Sequence, residues 1–187
     1  MGNINTTTQV DENTIEAQKG ITKLLIALGE NPEREGLIDT PKRVVKAFKE
    51  MTSGYTVDVN EILSKTFTSD NNNEVEITDI HFNSLCEHHM LPFIGTVKVK
   101  YTPKNGKVVG LSKIPRVVEA FAKRLQIQEK MTKEIAEAIQ NNLDCAGVYV
   151  EVEARHMCME LRGIKTRGSK TKTIYKTGCY LRGDNNC

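Results

Sequence analysis

Apolar residues recur along this chain with two different periods, and the change of period divides it. Ile21, Leu24, Leu25 and Leu28 stand at i, i+3, i+4 and i+7, the spacing of one helical face. Asn13 is the candidate N-cap of that helix, and Gly29-Glu30-Asn31-Pro32 supplies its stop. Thr40-Pro41 opens a second helix, because Thr can cap and proline already has the φ of a first helical position. Val44, Val45, Phe48 and Met51 form its apolar face, closed by Ser53-Gly54. From Glu74 the period becomes two. Val75 and Ile77 begin a strand that runs to Phe82, and Val97, Val99 and Tyr101 alternate with Lys98 and Lys100 in the next. Asn105-Gly106 predicts a hairpin turn, with Val108-Val109 as the return strand.

Two more helices follow. Ile114, Val117, Val118, Phe121 and Leu125 give the apolar stripe of the first, with Ser112 its N-cap. Met131, Ile135, Ile139 and Leu143 face inward from the second, predicted over Glu129–Leu143. Alternation then returns over Gly147–Cys158, where Val148, Val150, Val152, Ala154, His156 and Cys158 share one face. An apolar face that ends in His and Cys is unlike ordinary core. The pattern divides the chain into a mobile tail over 1–12, a helical region over 13–70 and an α+β domain over 71–187.

Composition changes this picture little. The 187 residues suffice for one sizeable core, and 39% hydrophobic with 27% charged is ordinary for a soluble protein. A net charge of +2, no Trp and 5% aromatics argue against a nucleic-acid face. No apolar run is long enough to span a membrane, and Met1–Val10 lacks a signal pattern. Five cysteines at irregular spacing show no disulfide framework, so reduced thiols in the cytoplasm are expected.

The chemistry gathers in Ser84-Leu85-Cys86-Glu87-His88-His89 and Arg155-His156-Met157-Cys158. Cys86 and His89 have Cys-x-x-His spacing, which lets one turn present two ligands to one ion, and Cys158 offers a second thiolate. Zinc suits this mixture, and three protein ligands leave a position for water. His88 and His156 are then spare, available to move protons. Two plainer readings stand beside this one. Cys145, Cys179 or Cys187 would complete a closed structural Cys₃His site, or Cys86 and Cys158 would be buried apolar thiols.

Cations collect at helix starts. Lys113 and Arg116 stand with Ser112 where free N–H groups and the helix dipole attract anions, although the glycine pattern of a Walker A loop is missing. Arg43 lies in the first turn of its helix, the wrong end for the dipole. Each has a plain alternative as a solvated base, as does the basic run Lys165–Lys176. Gln128-Glu129 opens a helix, where an acid suits the dipole and a structural role is the default; functionally, its carboxylate can accept two N–H bonds from a guanine-like edge. Arg162 follows Cys158 closely enough to reach the same region.

Together these segments resemble the GTP cyclohydrolase I family. The likeness rests on Asp39-Thr40-Pro41-Lys42-Arg43, Ser84 to His89, Gly110-Leu111-Ser112-Lys113-Ile114, Gln128-Glu129 and His156-Met157-Cys158 with Arg162-Gly163, in order over roughly Asp11–Thr177. The resemblance implies zinc on Cys86, His89 and Cys158, and proton handling by His88 and His156. It implies Glu129 and Gln128 on the guanine edge, and Ser112, Lys113, Arg116, Arg43 and Arg162 on the ribose and triphosphate of GTP. It also implies a tunnelling fold (T-fold): antiparallel sheet with helices on one side, an N-terminal helical extension, and barrels stacked as a homodecamer with sites between subunits. The implied activity is release of formate from GTP to form 7,8-dihydroneopterin triphosphate, the first step of pterin and tetrahydrofolate biosynthesis. The basic tail from Lys165 departs from the family pattern, and Cys179 and Cys187 match no family function. A zinc-stabilised nucleotide-binding protein would need a closed four-ligand site or a missing histidine. A sister enzyme acting on another pterin or deazapurine would have no use for the triphosphate cations.

Overall fold

The hydrophobic periods translate into two compact units, Met1–Met51 and Thr52–Cys187. The computed structural model describes residues 6–70 and 72–182. In the first unit α1 (Thr6–Ala27) packs on α2 (Thr40–Met51). Helix α1 begins well before the expected cap at Asn13, since no glycine or proline interrupts the chain between Thr6 and Asn13. Residues 1–5 of the expected tail lie outside the described residues. The stop is as expected. Gly29 takes φ +85°, Gly29 N–H reaches Ile26 O at 2.9 Å and Glu30 N–H reaches Leu25 O at 3.0 Å, which closes a Schellman motif.

The second unit opens with α3 (Val59–Leu63) and β1 (Thr66–Thr68), which thus belong to the same unit as the sheet. The elements that follow are β2 (Val75–Cys86), β3 (Pro92–Pro103), β4 (Lys107–Val109), α4 (Lys113–Ala122), β5 (Leu125–Gln126), α5 (Gln128–Asn142), β6 (Cys145–His156), α6 (Met157–Glu160) and β7 (Thr171–Lys176). Five of the strands form one sheet in the order β5-β2-β3-β6-β7, antiparallel apart from the short β2–β5 pairing. Its plan is α+β: β2 and β3, then α4 and α5 with the short β5 between them, then β6 and β7. Asn105 and Gly106, at φ +52° and +67°, make the expected turn. The return partner differs, however. β4 pairs with β1, because Ser69 N–H bonds Gly106 O at 2.7 Å and draws the β1 segment alongside.

Alternation decides the two faces of the sheet. Phe93, Val97, Val99 and Tyr101 of β3 and Val148, Val150 and Val152 of β6 are fully buried, as are Ile114, Val117 and Val118 of α4 and Met131, Ile135 and Ile139 of α5. Burying each such side chain contributes roughly 1.5–3 kcal/mol. The other face carries an ion-pair ladder: Lys100 with Glu76 at 2.8 Å, Lys172 with Glu151 at 3.0 Å and Lys170 with Glu153 at 2.7 Å. These exposed pairs each add little. Their main effect is to keep that face polar.

In β3, Gly95 faces Ala154 of β6 across the ladder. A Cβ on Gly95 would stand 1.9 Å from Glu153 O, a backbone atom that cannot turn aside. Gly95→Ala is therefore expected to destabilise the fold by roughly 2 kcal/mol or more. Equilibrium denaturation would measure it, and wild-type stability in the variant would contradict the register.

Candidate metal centre

The antiparallel pairings bring three chain segments to one end of the sheet. β2 ends at Cys86, β3 begins at Pro92 beside it, and the register places Phe93 opposite His156 at the end of β6. Between β2 and β3 the chain folds back tightly: Met90 N–H bonds Cys86 O at 2.7 Å, and Cys86 N–H bonds Leu91 O at 2.9 Å. Met90 takes φ +55°, a left-handed conformation that costs a side-chain-bearing residue about 1–2 kcal/mol. That turn carries Cys86 and His89 to the same side. Glu87 N–H, bonded to Gln126 O at 3.0 Å, ties it to β5.

Cys158 reaches the site differently from the expected strand alternation. β6 stops at His156, and Cys158 stands in the single turn of α6. The reason lies on either side of it. Arg155 grips the carboxylate of buried Glu160 with two bonds, Nε–Oε1 at 2.8 Å and Nη2–Oε2 at 2.6 Å, which curls the intervening residues into a turn.

Cys86, His89 and Cys158 thus have ligand atoms within 4.8 Å of one another. Cys86 is buried, Cys158 half-buried and His89 exposed, so the cluster opens to solvent on one side. Two thiols and an imidazole form a donor set that fits zinc. Burial first, and then the neighbouring Cys86 sulfur, push the Cys158 thiol above its ordinary value. A bound cation would reverse that preference, since it favours thiolate. Among the described residues no fourth Cys, His or acid joins the group. Cys145 lies in the core at the far end of β6, its thiol pushed up to about 11 by burial. Cys179 is disulfide-bonded and sits against Gly147, so the expectation that every thiol is free fails there. Cys187 lies outside the described residues. A closed site completed by Cys145 or Cys179 is therefore excluded.

Both spare histidines are at this end of the sheet. His88 is exposed, with Nδ1 3.9 Å from Cys86 Sγ and its ring 6.4 Å from that of His89. His156 stacks flat on Phe93, ring centres 4.7 Å apart, and its Nε2 lies 2.7 Å from Gln128 Oε1. Burial lowers its pKa, while the charge of Glu129 acts the other way. Glu129 itself is exposed in the first turn of α5. Arg162 also arrives, its Nη1 3.1 Å from His89 Nε2.

Other candidates stand apart. Ser112 occupies the N-cap position of α4 but has helical φ and ψ, and its hydroxyl makes no cap bond. Arg116, three residues beyond Lys113, lines a cleft of about 360 Å³ with Ser53, Gly54, Glu119 and Lys123, none of them a member of the metal cluster. Arg43 belongs to the first unit and pairs with Asp39 at 3.1 Å. The sequence reading missed Phe93 and the Arg155–Glu160 clamp. The alternation of β3 held the signal for Phe93; nothing local announced the clamp.

Comparison with known proteins now decides the class. The family profile described as GTP cyclohydrolase I matches residues 17–186. The chain belongs to the GTP cyclohydrolase I family. The GTP cyclohydrolase 1 of Campylobacter jejuni is 54% identical over 165 residues, 88% of this chain and 86% of that protein. The GTP cyclohydrolase 1 of Clostridium kluyveri is 50% identical over 171 residues, 91% of each. Among solved structures, the archaeosine synthase QueF-Like in its apo form aligns with a TM-score of 0.49 at 16% identity, over 58% of this chain and 97% of that one. Membership makes the chain an enzyme.

Proposed function

We propose that this enzyme hydrolyses GTP at C8, releases formate and forms 7,8-dihydroneopterin triphosphate, with zinc on Cys86, His89 and Cys158. The observation that carries the reading is the open cluster of two thiols and one imidazole, flanked in sequence by His88 and His156. When bound, zinc acts as a Lewis acid that lowers the pKa of a water molecule toward neutrality. His156, held on Phe93, exchanges a proton with the imidazole ring of guanine as that ring opens, and His88 serves as the second proton carrier. The exposed carboxylate of Glu129 accepts N–H bonds from the guanine edge. Gln128 adjoins it, though its side-chain bonds point inward.

Ser112, Lys113, Arg116, Arg162 and Arg43 bind the ribose and triphosphate, and their binding energy positions C8. Because Arg116 lines a cleft away from the metal cluster, a complete pocket draws on more than one subunit, which supports a homo-oligomer and the decamer of the resemblance. We place the enzyme in the cytoplasm, where Cys86 and Cys158 remain thiols. Neither nucleic acid nor membrane enters this reading; among the described residues no helix is long and apolar enough to cross a membrane.

The deciding experiment incubates metal-assayed protein with GTP and follows formate and, after oxidation, pterin fluorescence. Both signals should appear, vanish on zinc removal and return with zinc. Bound zinc and bound GTP without formate would overturn the reading. Arg116→Ala should weaken GTP binding roughly 10–100-fold, the value of one lost charge-assisted bond, and guanosine binding hardly at all. Equal weakening of both would remove Arg116 from the phosphate site.

A further inference from the structure

We propose that Gln128 is a positioning residue: its side-chain carbonyl accepts the Nε2–H of His156 and leaves Nδ1 as the free ring nitrogen, the one that exchanges protons. This rests on the reading that His156 handles protons.

The argument starts from the amide. Gln128 is 2% exposed, at the first position of α5. Its Nε2 lies 3.1 Å from Val152 O, 3.0 Å from Thr171 O and 3.1 Å from Thr173 Oγ1. Two of these partners are backbone carbonyls, which can only accept. The NH₂ must therefore face them, and turning the amide over would press oxygen against two carbonyl oxygens. The hydroxyls agree with this direction. Thr132 donates to Gln128 O at 2.7 Å, so the 2.6 Å contact between Thr132 and Thr173 is donated by Thr173. Thr173 Oγ1 is then free to accept from the Gln128 amide. The amide's two hydrogens are shared among three acceptors, and every donor still points the same way.

Gln128 Oε1 is left facing His156 Nε2 at 2.7 Å. A carbonyl oxygen has no hydrogen to give, so the imidazole must be the donor and Nε2 must carry its hydrogen. Among the described residues the ring makes no other hydrogen bond, and Phe93 stacked at 2° between planes fixes the remaining rotation. The strand pairing sustains this arrangement: β6 supplies Val152 and His156, β7 supplies Thr171 and Thr173, and α5 spans both. The family resemblance implies a place for Gln128 on the guanine edge; here its side-chain oxygen faces the histidine.

The test uses zinc-loaded protein carrying ¹⁵N-labelled histidine. The chain has four histidines, and the His156 signals are assigned by comparison with His156→Ala. Long-range proton–nitrogen spectra of the wild type should show His156 in the Nε2–H form. In Gln128→Met, similar in length but without an acceptor, that form should give way to a mixture. Turnover should fall roughly 10–100-fold, with KM for GTP within about twofold and zinc content unchanged. Gln128→Glu keeps an acceptor and should restore the Nε2–H form, though at lower stability because Val152 O and Thr171 O lose their donor. Thr173→Val, which only loosens the amide, should shift the same spectrum less.

A persistent pure Nε2–H signal in Gln128→Met would overturn the proposal. So would a rise in KM at unchanged kcat, which would return the side chain to the guanine edge. If instead His156→Ala kept its turnover, the proton reading would fall, while the ring spectra would still report whether Gln128 sets the tautomer.

Discussion

Cys158→Ser will leave the protein folded but unable to hold zinc at stoichiometric level, and formate release from GTP will fall to background. Serine matches cysteine in shape, but its hydroxyl is a poor ligand for zinc and stays protonated at neutral pH. Loss of a mere outer-shell partner commonly costs 10–100-fold in affinity, so loss of one of three direct ligands should cost more than roughly 100-fold. Stability should change little, because Cys158 is only half-buried and stands beyond the end of the β3–β6 ladder. The Arg155–Glu160 clamp, which shapes its turn, does not involve the thiol. The measurement is metal content after gel filtration, with circular dichroism and turnover on the same sample. Full zinc content in the folded variant would remove Cys158 from the ligand set and revive the reading of a buried apolar thiol. The same substitution at Cys145 should leave zinc untouched, since that thiol lies at the other end of β6.

The grouping of Cys86, His89 and Cys158 was legible before the fold because spacing and residue type mark side chains that could share a metal. Cys86 and His89 lie in one turn, and any chain path that brought β6 to the end of β2 would add Cys158. The period-two runs were equally plain, since the buried positions of β3 and β6 alternate almost without a break. Local pattern misleads where a distant contact decides. Asn105-Gly106 made its turn, but its return strand answered to β1. Cys158 looked like the next tooth of a strand until the Arg155–Glu160 pair wound it into a turn. The bonds of Gln128 to β6 and β7 were out of reach for the same reason, since no local window includes those elements. Arg43, Ser112 and Arg116 show a different limit. The two arginines carry the charge an anion would meet and Ser112 a hydroxyl at a helix start, but the residues that would complete a pocket around them are not all supplied by the neighbouring sequence.

Replacing His156 by alanine will separate metal binding from chemistry. Zinc content should remain at the wild-type level, because His156 is not one of the three clustered ligands. Turnover should fall by roughly 10²–10⁴-fold, the usual contribution of a positioned proton-transfer group. The fold will also register the change. Loss of the stack on Phe93 costs about 0.5–1.5 kcal/mol, and Gln128 Oε1 loses the donor it faces at 2.7 Å. A buried acceptor left unpaired costs about 1–3 kcal/mol more, unless water enters the space the imidazole vacates. The variant should therefore unfold at lower denaturant while still binding GTP. This combination distinguishes the role of His156 from that of Cys158, whose loss removes zinc and spares stability. If His156→Ala turned over GTP at the wild-type rate, proton transfer would have to be assigned to His88, the remaining histidine beside Cys86. The Phe93 stack and the Gln128 bond would then be structural contacts at the end of β6.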